Sequence, residues 1–325
     1  MPAAHPAVTV VMRTYERPVL LARAVASVRA QVFGEWELVV VNNGGDPGVV
    51  DSVVGAGRSG TGNGSIRVMH LGERVGMEEA SNRALEGIGS EFFAIHDDDD
   101  SWDPRFLEVA VAELVRNATA AAVVTGVTRV HETFRGGKVW PVREEIVPLS
   151  EGRLSYAGMI GGNTFPPIAA LFRRSLLGKV GGFDASLPVL GDWEFNLRAV
   201  REGGFVFHPE QLARYHTRTP DSDASSGNTI TAGRDLHRSV RMLLQDRWLN
   251  EPSVNGVNKG ALSISALAVN MVDERLANGF DADLVAARTA DIIETRRPLR
   301  RVLRGVKNPA RAFRALSRMV RRSGT

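Results

Sequence analysis

Four consecutive carboxylates, Asp97-Asp98-Asp99-Asp100, follow the apolar run Phe92–Ile95 with only His96 between. Adjacent carboxylates repel one another, so a fold that gathers them needs a compensating cation. Hard oxygen ligands suit Mn²⁺ or Mg²⁺, which take one or two carboxylates and add substrate phosphates. A solvated acidic turn is the plain alternative, and a position directly after a buried strand argues against it. A calcium loop of the EF-hand type does not fit, because Trp102 stands where glycine must turn and Pro104 intrudes. Asp192 is the other isolated carboxylate of interest. It stands in Gly191-Asp192-Trp193-Glu194-Phe195 at the start of a predicted helix, where Asp also serves as an ordinary N-cap. Gly55 to Gly60 spells G-x-G-x-x-G, but it follows a helix and precedes a strand, the reverse of a dinucleotide fingerprint. That match carries no weight.

Short β-branched runs must position these groups. Val8–Met12, Leu38–Val41, Ile66–Met69 and Phe92–Ile95 read as buried strands. Leu20, Leu21, Ala24, Val25 and Val28 recur at helical spacing, as do Ala80, Ala84, Leu85 and Ile88. Asp103-Pro104 supplies an N-cap and first-turn proline for a helix through Phe106, Leu107, Ala110 and Leu114. Such alternation predicts an α/β fold with a mostly parallel sheet covered on both faces. Ligands of such sheets bind beyond the strands' carboxyl ends. There lie Thr14-Tyr15-Glu16-Arg17-Pro18, Asn42-Asn43-Gly44-Gly45-Asp46 and the acidic run. Val123–Val124, Ala169–Phe172 and Phe205–Phe207 read as further strands. Thr219 to Gly233, rich in Ser, Asp and Gly, reads as a loop or boundary, and the chain beyond it as helical.

The 325 residues, 43% hydrophobic and 24% charged, have the composition of a globular protein. No cysteine is present, which excludes disulfides, thiolate catalysis and cysteine-ligated metals. No apolar run approaches the roughly 20 residues that span a bilayer. Val8–Met12 is too short for a signal-peptide core, so the expected location is cytoplasmic. Eleven Lys/Arg and no Asp/Glu lie between Arg296 and Thr325, leaving the rest of the chain at −8 against +3 overall.

In order and spacing these segments resemble the family-2 glycosyltransferases of GT-A fold, over about residues 7 to 217. The motifs are the opening Val8-Thr9-Val10-Val11-Met12-Arg13-Thr14-Tyr15-Glu16-Arg17 and Gly76 with Ala80-Ser81-Asn82. The acidic run with Trp102 and Pro104, Gly181-Gly182-Phe183-Asp184 and Asp192-Trp193 complete them. The resemblance implies a Rossmann-like sheet flanked by helices, with a GT-A domain over 1–225 and a helical C-terminal region over 226–325. It implies inverting transfer of a sugar from a nucleotide sugar, UDP by default with dTDP and GDP open, to an acceptor hydroxyl on a glycan or lipid-linked molecule. A sugar nucleotidyltransferase and a non-catalytic relative that binds nucleotide or glycan are the rival readings.

Carried over residue by residue, the resemblance makes Asp192 the general base. It puts Asp97 on the donor ribose and Asp99 on the Mn²⁺ or Mg²⁺ at the diphosphate, with Asp98 or Asp100 assisting through water. Thr14, Tyr15 and Arg17 would line the nucleotide pocket. Asn42 stands where an aspartate often reads the base, and Arg74 could approach the diphosphate or remain a surface residue. His216 would be a late metal ligand or diphosphate contact, and Asn163 and Trp193 would touch the acceptor. Gly191 stands where an acidic neighbour is usual, so Asp192 is expected to have a lower pKa than with that second charge beside it. In the tail, Leu299, Val302, Leu303 and Val306 share a predicted helical face ringed by arginines. This face could meet an anionic membrane at the inner leaflet, a glycan or another subunit. Nucleic acid is not an expected partner, because the aromatic interleaving of single-strand readers is missing.

Overall fold

The computed structural model describes residues 5–56, 64–218, 234–253 and 257–277. The C-terminal tail, the segment 219–233 and part of the glycine-rich 55–60 stretch lie outside the described residues. Strands β1 (Val8–Thr14), β2 (Trp36–Asn43), β3 (Ser65–Leu71) and β4 (Phe92–Asp97) pair in parallel in the order β3-β2-β1-β4. Val8, Val10, Val11 and Met12 have no exposed surface, as expected of strands covered on both faces. Helices α1 (Pro18–Arg29), α2 (Pro47–Gly55) and α3 (Met77–Leu85) link them. Pro18 and Pro47 open their helices, and Asp46 caps α2 by accepting from Gly48 and Val49 N–H.

The second half is mixed. A two-residue strand, β5 (Ser101–Trp102), precedes α4 (Phe106–Arg116), β6 (Ala122–Arg135) and β7 (Lys138–Ile146). Then come α5 (Tyr156–Met159), β8 (Ala170–Arg173), α6 (Ser175–Val180), α7 (Gly191–Ala199) and β9 (Phe205–Arg218). β8 joins β4 antiparallel, and the sheet continues β8-β6-β9-β5 with β7 paired to β6. Gly136 and Gly137, both at positive φ, close the β6–β7 hairpin, as a two-residue turn of that hand requires.

Two helical starts differ from expectation. Asp103 and Pro104 form a turn ahead of α4, whose cap is Arg105. Their backbone is tied sideways, Asp103 N–H to Leu212 O and Val32 N–H to Pro104 O, so the helix begins after them. Asp192 is inside the first turn of α7, while the cap position belongs to Leu190 in the left-handed region.

Helices α8 (Arg234–Leu249) and α9 (Lys259–Ala277) follow. Val240, Leu244 and Trp248 of α8 join the same core, and Ser263 Oγ donates to Ile160 O. One compact unit spans Met1–Ala266 and the other Leu267–Thr325, of which only the end of α9 is described. Among the described residues no helix is long and apolar enough to cross a membrane.

Candidate active site

β1 and β4 lie side by side with Arg13 opposite Asp97, which delivers both to the carboxyl end of the parallel strands. Arg13 donates to an Asp97 carboxylate oxygen and to Ser81 Oγ at 3.2 Å. The three following aspartates are buried. Arg17 reaches Asp98 at 3.4 Å and Asp99 at 3.6 Å. Arg218, at the end of β9 and almost wholly buried, pairs with Asp99 and lies 2.7 Å from Glu132 of β6. Arg23 of α1 pairs with Glu132 at 2.8 Å and donates to the Asp99 carbonyl. Burial pushes Glu132 upward, yet hydrogen bonds from His216 and Arg23 bring it down to about 2.

Burial and the neighbouring Asp99 charge push Asp98 up to about 7 and raise Asp100 well above the usual carboxylate range. Asp100 Oδ1 accepts from His216 N–H, whereas its Oδ2 is buried without a hydrogen-bond partner. Crowded hard oxygens, one of them orphaned, fit a small divalent cation. Asp99 is the residue that would hold it, in company with phosphate oxygens. Among the described residues no group of three or more Asp, Glu or His is arranged as a complete metal cage. An ion sharing its shell with substrate does not need one.

His216 reaches this corner, but its ring is engaged. Nδ1 lies 2.9 Å from Glu132 and Nε2 lies 2.8 Å from Ser101 Oγ. Burial lowers its pKa, so the ring is neutral and bridges β9 to β6 and β5. The ring thus ties three strands together at the edge of the corner where a late ligand is expected.

Next to the corner, a cleft of ≈ 270 Å³ is lined by Thr14, Glu16, Arg17, Pro18, Gly45 and Asp46, among others. Thr14 and Arg17 thus meet in one cleft. Glu16, at φ 53, is strained into the left-handed region where the chain turns over this cleft. Arg74 stacks over Tyr15 at 4.1 Å, uniting two residues proposed from separate segments. Gly44, at φ 83, permits this: a Cβ there would sit 2.6 Å from Arg74 N.

Asn42 has no exposed surface, its amide donates to Gly45 O and faces His70, and its oxygen accepts from Gly45 N–H. The Trp193 ring is fully buried, donates to Met159 O at 2.7 Å and meets Trp248 edge-on.

Asp192 keeps a partly exposed carboxylate at the start of α7. Asn163 donates to its Oδ2 at 2.5 Å. Packed protein raises its pKa, the Asp97 charge adds to the rise, and Asn163 opposes it. Gly191 withholds one possible source of that rise, and burial is the larger one. Glu78, Arg13, Glu132 and Arg218 went unnoticed as site residues in the sequence. A charged Arg13 in an otherwise apolar strand was the available signal.

The family model "Glycosyl transferase family 2" matches residues 9–181. The "Uncharacterized glycosyltransferase YwdF" of Bacillus subtilis is 26% identical over 195 residues, covering 60% of this chain and 68% of its own. Among solved structures, S. aureus TarS 1–349 in complex with UDP-GlcNAc aligns with TM-score 0.57 and 19% identity, over 81% of this chain and 71% of its own. The mannosyltransferase PcManGT from Pyrobaculum calidifontis, in complex with GDP-Man and Mn²⁺, aligns with TM-score 0.55 and 18% identity, over 92% and 83%. At such identities these structures speak to the fold, which is GT-A-like. With its acidic corner at the end of β4 and a family match over more than half its length, the chain belongs to glycosyl transferase family 2.

Proposed function

We infer that this protein transfers a sugar from a nucleotide-sugar donor to an acceptor hydroxyl with inversion, Asp192 serving as general base. The observation that carries this reading is the placement of Asp192. Its half-buried carboxylate stands close enough to Asp97 and Arg13 to feel their charge, with one oxygen steadied by Asn163. A carboxylate whose proton affinity is raised by burial is suited to accept a proton.

The nucleotide occupies the cleft between Thr14, Arg17 and Asp46, with Asp97 available to the ribose and Arg74 poised at its rim. Asp99 is the residue that would hold a Mn²⁺ or Mg²⁺ ion at the diphosphate. When bound, that ion neutralises charge on the leaving group, as a Lewis acid does. The acceptor oxygen bonds to the anomeric carbon from the face opposite the diphosphate while the bond to the phosphate oxygen breaks. The hydroxyl proton passes to Asp192, and the nucleoside diphosphate departs as an anion. Asn163 fixes the direction of the accepting lone pair. General-base catalysis of this kind supplies roughly 10²–10⁴-fold.

UDP is the default nucleotide, supported by the UDP-GlcNAc complex of TarS, and the GDP-Man and Mn²⁺ of PcManGT support a metal and keep other bases open. A glycan or lipid-linked acceptor suits a location at the inner membrane face. The basic run over 296–325 would supply that attachment. A thermal-shift screen of UDP-, dTDP- and GDP-sugars with and without Mn²⁺ selects the donor, because a ligand of the native form raises its melting point. With that donor, Asp192→Asn should lose about 10²-fold or more in turnover at nearly unchanged donor affinity. Near-normal turnover would remove Asp192 as base.

A further inference from the structure

Arg241 stands on α8 beside Val240 and Leu244, which are buried in the core. Its guanidinium lies over the Trp193 ring, 5.8 Å from the ring centre. A Cβ built at Gly162 would fall 4.0 Å from Arg241 Nη2. Both neighbours border the proposed base. Trp193 follows Asp192 in the chain, and Asn163, which donates to Asp192 Oδ2, follows Gly162. The segment ahead of Asn163 is pinned on two sides, by Trp193 Nε1 donating to Met159 O and by Ser263 Oγ donating to Ile160 O. Gln245 of α8 donates to the same Ser263 of α9, so the two helices are tied together where they meet this segment.

What Arg241 lacks is a counter-charge. Its Nε is buried without a hydrogen-bond partner, and among the described residues no carboxylate pairs with the guanidinium. Burial lowers its pKa with no acidic neighbour to oppose the change. Nearby cations differ. Arg247 of the same helix pairs with Asp184 at 2.7 Å, and Lys259, over the Trp248 ring, has Glu251 and Glu194 to offset its burial. Withdrawing a charge from water without a partner is costly. Stacking on Trp193 offsets part of that cost, but it uses the face of the guanidinium and leaves the in-plane N–H donors unspent.

We propose that Arg241 is the anion-binding residue of an acceptor subsite, receiving a phosphate or carboxylate oxyanion that the acceptor carries. The place of that anion on the acceptor rests on Asp192 being the base. A guanidinium and an oxyanion match in plane, two N–H donors to two oxygens. An acceptor with its hydroxyl at Asp192 and its anion at Arg241 is held at two points across the Asn163 segment. Two-point attachment selects which hydroxyl meets the base.

The test follows the Nε–H resonance of Arg241 by ¹H–¹⁵N NMR on the full chain, assigned by its loss in Arg241→Lys. The acidic corner has arginines of its own, so the readout is taken at Arg241 itself. Methyl phosphate, methyl glucuronide and sodium chloride are titrated at matched ionic strength. A saturable shift with methyl phosphate alone identifies a phosphate, and one with the glucuronide alone identifies a sugar carboxylate. Shifts with both identify a subsite open to either oxyanion. A resonance that ignores both, or that chloride moves equally, would overturn the proposal. Kinetics give a second arm, with the donor selected by thermal shift and alkyl glycosides bearing phosphate, carboxylate or no charge as acceptors. The parent should prefer an anionic acceptor, and Arg241→Gln should cut that preference about tenfold or more through the acceptor KM, as loss of a charge-assisted hydrogen bond predicts. Arg241→Lys should keep part of it. A residue that only covers Trp193 would change the melting temperature and leave the preference intact, which would also overturn the proposal. The NMR arm decides alone if none of these glycosides accepts sugar. Near-normal turnover in Asp192→Asn with Arg241 still answering oxyanions would remove the base and leave the anion subsite standing. A silent Arg241 with turnover lost in Asp192→Asn would do the reverse.

Discussion

At the acidic corner, guanidinium groups arrive from four directions: Arg13 on β1, Arg17 ahead of α1, Arg23 on α1 and Arg218 on β9. At Asp192 the hydrogen-bonding side chain is a neutral amide, and a second carboxylate, Glu78, waits behind the helix. Both regions are rich in acid, yet the corner is heavily neutralised and Asp192, the proposed base, is not. The contrast separates two tasks. Compensated carboxylates can exchange an arginine contact for a cation and a diphosphate with little change in net charge. An undercompensated carboxylate has a raised affinity for a proton and can take one from a hydroxyl.

The largest effect that would break this contrast lies at Arg218. Replacing it by Met removes the buried cation between Asp99 and Glu132 and leaves them only Arg17 and Arg23 from the other side, so the unfolding free energy should fall by about 3–5 kcal/mol in denaturant titrations. A loss well under 1 kcal/mol would mean that the corner does not depend on its arginines. Next comes Asp99→Ala. Mn²⁺-dependent donor binding, measured by calorimetry, should weaken at least about tenfold, as loss of a direct metal ligand predicts. An unchanged Mn²⁺ titration would move the metal elsewhere.

A smaller effect sharpens the other side. The Asn163 N–H stabilises the charged form of Asp192, so Asn163→Ala should raise that pKa further. The acidic limb of the pH–rate profile should then shift upward by about half a unit to one unit. A downward shift would contradict the assigned role. The smallest effect is on stability against pH. Glu132, held near 2, stabilises the fold above its ordinary value near 4.5 and withdraws that support as pH falls through 2. Glu78, raised to about 7, works the other way, since its ionisation costs stability as pH climbs from about 4.5 through 7. The melting temperature of Glu78→Gln relative to the parent should therefore rise between pH 5 and pH 8. A constant difference would mean that Glu78 ionises normally.

Much of the donor side is legible in the residues alone. Buried strands announce themselves as apolar runs, and polar residues just beyond them, such as Thr14 and Asp97, fall where an α/β sheet binds ligands. Long-range partners leave no such trace. Arg218 meets Asp99 across 119 positions, and Glu78 meets Gly191 only because α3 and α7 converge. At Asn42 and Trp193 a polar or aromatic residue next to a motif looks available in the sequence, while in the fold it hydrogen-bonds the backbone around it. Outer β6, β7 and β9 escape notice because their exposed faces carry Arg, Glu and Lys, which blur the apolar signal that marked their inner halves.

The most direct measurement is an anomalous-scattering map from crystals of the full chain soaked with Mn²⁺ and the donor selected by thermal shift. A manganese peak against Asp99, with the diphosphate beside it and the anomeric carbon facing Asp192, is the expected result. Nucleotide bound with the metal remote from Asp99, or with the sugar turned away from Asp192, would contradict the account.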